Sequence, residues 1–133
     1  MPFVLDASVT ACWAFRDEEH PVADAARDRM IGDEGLAPTL WWFELRNILV
    51  VNERRTRLTE ADSSVFLRDL ARLPITLDRR PEEAEVLRLA RKHRLSVYDA
   101  AYLELALRHG IAIATLDNEL IRAARAEKVA LIE

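Results

Sequence analysis

Four acidic residues stand at positions where a solvated surface charge is not the natural interpretation: Asp6, Glu44, Asp99 and Asp117. Their wide separation along the chain suggests that they meet in the fold. Carboxylates within a few ångströms repel one another, which raises the pKa of some of them until a proton or a cation relieves the repulsion. Hard oxygen ligands select Mg²⁺ or Mn²⁺, and such an ion can activate water against a phosphodiester. The chemistry predicted for a cluster of these acids is therefore metal-assisted hydrolysis.

Two of the acids follow predicted strands. Asp6 ends the apolar run Phe3 to Leu5, and Asp117 follows the apolar run Ile111 to Ala114. Residues at the carboxyl ends of parallel strands line the usual ligand crevice of an open α/β sheet. The two side chains could converge there if their strands are neighbours, which the sequence does not determine. The alternative is that each Asp caps the helix that follows it.

Glu44 is predicted to lie on an apolar helix face. Helical spacing places it beside Trp41 and Ile48, so its charge needs a partner. Asn47, one turn further on, is neutral and can donate a hydrogen bond that orients a carboxylate. The alternative is a structural salt bridge to an arginine such as Arg46, because buried acids are often simply paired.

Asp99 shares a predicted helix face with Tyr102 and Leu103, which directs it inward or towards a cleft. A structural alternative exists here too. Ser96 with an acid three residues later is similar to a capping box, although Glu or Gln is the usual residue at that position.

Other polar residues are weaker candidates. The hydroxyls of Ser8 and Thr115 could hold a ligand or a phosphate, but helix capping and strand packing explain them about as well. The three histidines, His20, His93 and His109, lie near predicted helix ends, where a histidine is commonly solvated or favoured by the helix dipole. The hydrolysis described above does not require them.

The elements that must position these residues alternate along the chain. Apolar runs typical of strands in a parallel sheet occupy Phe3 to Leu5, Gly35 to Ala37, Ile75 to Leu77, Ile111 to Ala114 and Val129 to Ile132. Helical periodicity covers Ser8 to Phe15, Pro21 to Ile31, Leu40 to Asn52, Glu60 to Leu73, Pro81 to Lys92, Val97 to Arg108 and Asn118 to Ala126. Pro21 and Pro81 are predicted at first helical positions, Gly110 just after a helix and Thr59 with Asp62 at a helix start. This alternation predicts an α/β sandwich.

Length and composition limit the organisation and the location of the chain. We expect one domain over residues 1–133, because that length with 50% hydrophobic residues suits one core. The single cysteine, Cys12, excludes an intrachain disulfide and a thiolate metal site. Residues 1–6 have no basic start and soon reach a charge, so neither a signal peptide nor a membrane span fits, and we expect a cytoplasmic protein.

The charge and the glycine content bear on the class of ligand. A net charge of −4 argues mildly against a nucleic-acid partner, whereas the rigid fork of arginine, which supplies all basic residues except Lys92 and Lys128, suits phosphate. The arginines could equally be solvated helix faces. Only three glycines occur, and no glycine-rich phosphate loop is present, which excludes a P-loop or a dinucleotide fingerprint.

Taken together and in order, these motifs resemble the PIN domain, and most of all the VapC toxins, across nearly the whole chain. The motifs that carry the resemblance are Val4 to Ser8, Phe43 to Asn47, Tyr98 to Tyr102 and Thr115 to Asp117. The resemblance implies a three-layer α/β/α fold with a central, mainly parallel sheet of four to five strands, and Mg²⁺- or Mn²⁺-dependent endonucleolytic cleavage of RNA. It implies metal-binding roles for Asp6, Glu44, Asp99 and Asp117. It implies supporting roles for Ser8, Asn47 and Thr115.

The same resemblance implies partners: a VapB antitoxin whose peptide blocks the site, and a second copy of the toxin in a homodimer. Two other functions remain possible at this point. A PIN-like module could bind RNA or a protein without cutting it, although all four acids are present. Haloacid dehalogenase-like phosphatases also begin a sheet with an Asp, but they need a second Asp two residues later, where this chain has Ser8.

Overall fold

The computed structural model describes all 133 residues. The four strands are β1 (Phe3–Leu5), β2 (Gly35–Pro38), β3 (Ile75–Asp78) and β4 (Ile113–Ala114). The seven helices are α1 (Ala7–Cys12), α2 (Pro21–Arg29), α3 (Leu40–Arg54), α4 (Glu60–Leu70), α5 (Glu83–His93), α6 (Val97–His109) and α7 (Asn118–Ala126).

All four strands run parallel in one sheet, in the order β3-β2-β1-β4. Helices flank the sheet, and α6 packs against β1, β2 and β4. The side chains of β1 are completely buried, as expected for a central strand that is covered on both faces. The predicted α/β/α sandwich with a parallel sheet is confirmed, and its strand order places β1 between β2 and β4.

Some predicted boundaries are wrong at the ends of elements. The apolar run Val129 to Ile132 does not form a strand: it adds one isolated bridge, between Leu131 and Ile113, beside the short edge strand β4. The helix predicted from Ser8 to Phe15 ends at Cys12. Pro81 is not a first helical residue, because α5 begins at Glu83 and proline suits the preceding irregular segment equally well.

The helix-end predictions otherwise hold. Thr59 and Asp62 form a complete capping box at the start of α4, with both reciprocal bonds at 3.0 Å. Pro21 is the first residue of α2. Gly110 follows α6 with φ of +64°, a left-handed conformation that glycine adopts without strain.

The hydrophobic core is one cluster of 31 buried residues. It includes the whole of β1, Cys12 and Tyr102, the largest side chain that is fully buried. Tyr102 comes from α6, and its hydroxyl bonds to α3. None of the helices is both long enough and apolar enough to cross a membrane.

Candidate functional site

The pairing of β1 with β4 brings the two strand-end acids to neighbouring positions. Leu5 and Ala114 are partners in the ladder, and the backbone N–H of Asp6 donates to the carbonyl of Ala114 at 3.0 Å. Asp6 follows β1, and Asp117 follows β4 by three residues. The adjacency that the sequence left undetermined is therefore present, and both acids lie at the carboxyl edge of the sheet.

Asp6 is held by hydroxyls and does not cap the helix that follows it. It occupies the N-cap position of α1, yet its side chain accepts no capping bond. One oxygen, Oδ2, instead accepts hydrogen bonds from Ser8 Oγ at 2.8 Å and from Thr115 Oγ1 at 2.6 Å. The side chain is only 6% exposed, and it forms no salt bridge. The capping alternative does not describe this carboxylate.

The two hydroxyls also link the residues that follow β4 to the residues that follow β1. Ser8 Oγ accepts from the backbone N–H of Leu116 at 3.1 Å, and Thr115 Oγ1 accepts from the N–H of Asp117 at 3.1 Å. Each hydroxyl thus donates to Asp6 and accepts from the chain that carries Asp117. The arrangement fixes the spacing of the two strand-end acids.

Glu44 is bonded to a tyrosine rather than to a cation. Tyr102 Oη, from α6, donates to Glu44 Oε1, from α3, at 2.6 Å. Glu44 forms no salt bridge, and Arg46 stacks over Trp42 with its guanidinium 3.9 Å from the ring centroid. The salt-bridge alternative for Glu44 is therefore wrong. Asn47 is exposed, and no hydrogen bond joins it to Glu44 in this structure.

Asp99 participates in only half of a capping box. Ser96 Oγ accepts from the backbone N–H of Asp99 at 3.0 Å, so the serine caps α6. The reciprocal bond, from the Ser96 N–H to the Asp99 carboxylate, does not form. The carboxylate of Asp99 is half-buried and has no salt-bridge partner, which leaves it available at the first turn of α6.

Asp117 has a structural bond as well as a place at the sheet edge. Its Oδ1 accepts from the N–H of Leu120 at 3.0 Å and caps α7. The capping role expected as an alternative is thus real, and it occupies one of the two carboxylate oxygens. The other oxygen carries no bond.

Charge repulsion acts between several pairs of the four acids. Burial raises the pKa of Asp6, and the charge of Asp117 raises it further. Burial also raises the pKa of Glu44, with added repulsion from Asp6 and Asp99, although the Tyr102 hydroxyl lowers it. The pKa of Asp99 is raised by burial and then by Asp117 and Asp6. Each acid therefore contributes to a shared negative potential that no basic side chain neutralises.

The carboxylate oxygens of the four acids are the donors that a hard divalent cation prefers, but the four side chains do not converge on one position. No three His, Cys, Asp or Glu side chains in the structure converge tightly enough to hold one ion. Mg²⁺ typically takes one or two carboxylates directly and keeps several waters, so it does not need such a convergence. Unpaired carboxylate oxygens with raised pKa values are the donors that such a cation would relieve.

Sequence reasoning did not assign a role to three residues that support the acids. Tyr102 bonds Glu44, while Trp41 Nε1 donates to Thr10 Oγ1 at 3.0 Å and Thr10 Oγ1 donates to the backbone carbonyl of Asp6 at 3.1 Å. These bonds join α3 to α6 and to the start of α1. The position of Tyr102 three residues after Asp99, on one helix face, was a usable indication; nothing in the sequence pointed to Thr10.

Neither the histidines nor the groove beside α4 contacts the four acids of the candidate site. His20 caps α2, His93 bonds Glu127, and His109 follows Arg108 at the end of α6. A groove of about 890 Å³ is lined by side chains of the α1–α2 connection and of α4, among them Trp13, Phe15 and Phe66. None of the four acids lines it.

A family model, a curated relative and a solved structure all point to the same protein family. The PIN domain model matches residues 3–126. Ribonuclease VapC3 from Pyrobaculum aerophilum is 35% identical over 124 residues, which cover 90% of this chain and 92% of that protein. The crystal structure of PAE2754 from Pyrobaculum aerophilum matches with a TM-score of 0.73 and 26% identity, over 98% of this chain and 83% of that one.

A more distant structure shows the same fold. FitAcB from Neisseria gonorrhoeae superposes with a TM-score of 0.67 at 19% identity, and the match covers 100% of this chain and 97% of that one. The family model and the 35% identical relative each extend over most of the chain. The chain belongs to the PIN-domain family and, within it, to the VapC ribonucleases.

Proposed function

We propose that the protein is a Mg²⁺- or Mn²⁺-dependent endoribonuclease, the toxin of a VapBC-type toxin–antitoxin pair. One observation carries the proposal: Asp6 and Asp117 follow neighbouring strands at the carboxyl edge of the sheet, charge repulsion links them with Glu44 and Asp99, and none of the four has a basic partner. Family membership supports a nuclease, and the relative named Ribonuclease VapC3 supports RNA as its substrate. Residues 1–133 act as a single PIN domain in this proposal.

The four acids have different tasks. Asp6, Glu44 and Asp99 hold the cation, directly or through water, because each presents a carboxylate without a counter-ion. Asp117 contributes charge through the oxygen that does not cap α7. A bound Mg²⁺ or Mn²⁺ would supply an activated water and stabilise the leaving oxygen of the phosphodiester.

The supporting residues keep the acids in position. Ser8 and Thr115 hold one oxygen of Asp6, which leaves its other oxygen, Oδ1, free for a ligand. Asn47 is exposed one helical turn after Glu44, where its amide can contact substrate or orient Glu44. The hydroxyl of Tyr102 fixes the rotamer of Glu44 across two helices.

The partners follow from the same proposal. The substrate is RNA, the inhibitor is a VapB-like antitoxin whose peptide covers the site, and the toxin acts as a homodimer in the cytoplasm. Exposed apolar side chains on α3 and α6, including Phe43 and Tyr98, supply surface for such contacts. Co-expression with the product of a neighbouring small reading frame would test the antitoxin.

Cleavage of RNA by the purified chain is the direct test. We expect cleavage with Mg²⁺ or Mn²⁺, arrest on chelation, and a loss of about 100-fold or more in Asp6→Asn. Undiminished cleavage by Asp6→Asn would remove the site assignment. Retention of RNA without cleavage under every divalent metal would instead favour the non-catalytic binding module.

A further inference from the structure

Large apolar side chains are exposed beside two of the acids. Phe43 is 69% exposed and Tyr98 is 64% exposed, while Trp42 and Val97 are 42% and 51% exposed. We call these four residues the apolar rim. Trp42 and Phe43 contact each other, and exposed apolar side chains that are grouped in this way mark interaction surfaces.

The rim is tied to the candidate metal site by chain position and by a hydrogen bond. Phe43 directly precedes Glu44 in α3, and Tyr98 directly precedes Asp99 in α6. The bond from Tyr102 to Glu44 holds α3 and α6 together at this end. A molecule seated on the rim is therefore adjacent to the carboxylates.

Positive charge accompanies the rim. Arg46 stacks on Trp42, and Trp42 in turn contacts Phe43 edge to face with ring centroids 5.0 Å apart. Arg79 and Arg80 follow β3, at the same carboxyl edge of the sheet, and both are exposed. None of these three arginines forms a salt bridge, so their charge is available to an anion.

This combination matches one class of molecule. Unpaired nucleotides present flat apolar bases and anionic phosphates, which fit aromatic rings flanked by arginines. The groove lined by Trp13, Phe15 and Phe66 is formed by other residues, and it carries acidic as well as basic side chains. The charge complementarity thus favours nucleic acid on the rim.

We propose that Phe43 and Tyr98 stack on unpaired bases of the RNA that flank the phosphodiester held at the carboxylates. The proposal rests on the proposed function, because it names how that same site takes its substrate. The two residues are then specificity determinants that select single-stranded segments, since bases in a duplex are not free to stack on protein.

Binding to two oligomers of equal length tests the stacking. Single-stranded oligoadenylate and an abasic ribose-phosphate oligomer are compared by fluorescence anisotropy, in an Asp6→Asn background that prevents cleavage. We expect Phe43→Ala and Tyr98→Ala each to weaken oligoadenylate binding by about 5-fold to 100-fold and to leave abasic binding unchanged. Tyr98→Phe, which keeps the ring, should retain full affinity.

The control is Ile31→Ala, a side chain that is 90% exposed and lies beyond α2, near the opposite edge of the sheet. It should bind both oligomers like the parent. Equal losses for both oligomers, or no loss for oligoadenylate, would overturn the proposal. A dimer that dissociates in Phe43→Ala and Tyr98→Ala, with RNA binding intact, would assign the rim to a second copy instead.

The two proposals fail in different ways. If the unmodified chain cleaves RNA and both rim variants cleave and bind normally, the stacking proposal is wrong and the nuclease proposal stands. If base-dependent binding is lost in the variants but the unmodified chain never cleaves, the rim proposal stands and the nuclease proposal is wrong.

Discussion

The acids at the carboxyl edge contrast with the acids that form ion pairs elsewhere in the chain. Arg108 bonds Glu104 Oε2 within α6 at 2.7 Å and Asp78 Oδ2 at the end of β3 at 2.6 Å. Between α5 and α7, Glu127 Oε2 lies 2.8 Å from Lys92 Nζ and 2.6 Å from the His93 ring. Glu104 is only 1% exposed, so the chain tolerates a deeply buried acid when it is paired.

The pKa values of Asp78 and Glu127 move in the opposite direction from those of Asp6 and Asp99. Hydrogen bonds from Lys92 and His93 lower the pKa of Glu127 to about 2, and Arg108 lowers the pKa of Asp78. At the carboxyl edge, burial and mutual repulsion raise the pKa of Asp6 and Asp99. Paired acids stabilise the metal-free fold, whereas unpaired ones oppose it, which indicates a role in function.

Replacing one acid of each group by its amide gives the largest expected difference, because one variant should lose cleavage and the other should lose stability. Asp99→Asn should reduce cleavage by about 100-fold or more and change the free energy of unfolding by less than about 0.5 kcal/mol. Glu104→Gln should lower the free energy of unfolding by about 2 kcal/mol, because Arg108 loses a charged partner, and leave cleavage intact. Urea denaturation and a cleavage assay on both variants measure the two effects.

The reverse pattern would break the comparison. If Asp99→Asn lost about 1 kcal/mol of stability and kept its activity, Asp99 would be a capping residue and not part of the site.

A smaller effect is expected at the bond between the helices. Tyr102→Phe removes the hydroxyl that positions Glu44 and should weaken Mn²⁺ binding by about 10-fold. Tyr98→Phe is the matched control, since it deletes a hydroxyl that is exposed on the same helix. Equal Mn²⁺ affinities in the two variants, measured by calorimetry, would show that Tyr102 is only a packing residue.

The smallest effect concerns pH. The pKa of Glu127 is about 2 in the folded chain and 4.5 as the ordinary value, so its stabilisation is present above pH 4.5 and lost as the pH falls towards 2. Glu127→Gln should therefore lower the free energy of unfolding by about 1 kcal/mol at pH 7, a modest value because Lys92 is exposed. A deficit that stayed constant from pH 7 to pH 2.5 would contradict the ion-pair account.

The sequence predicted the layers of the fold because apolar runs and helical periods follow burial directly. Phe3 to Leu5 and Asn118 to Ala126 match the observed elements residue for residue. Two predictions failed, one at the edge of the sheet and one at a helix start. Val129 to Ile132 is apolar enough for a strand but forms only one bridge, and Pro81 precedes the first residue of α5 by two positions. Backbone pairing and local geometry, rather than composition, decide these cases.

The sequence predicted which acids form the candidate site, but it did not predict how they are placed relative to one another. Spacing singled out Asp6 and Glu44, yet the neighbouring position of β1 and β4, which brings Asp6 beside Asp117, depends on strand order. The bond from Thr115 to Asp6 spans 109 residues, and the bond from Tyr102 to Glu44 spans 58. Contacts of this range have no periodic trace in a single sequence.

Mn²⁺ binding tests the central claim most directly, namely that the four unpaired acids form a cation site. The free Mn²⁺ signal in electron paramagnetic resonance is followed during titration of the unmodified chain, Asp6→Asn and Glu104→Gln. The account predicts saturable binding by the unmodified chain and by Glu104→Gln, and a loss of about 10-fold or more in Asp6→Asn. Unchanged Mn²⁺ affinity in Asp6→Asn, or no saturable binding by the unmodified chain, would contradict it.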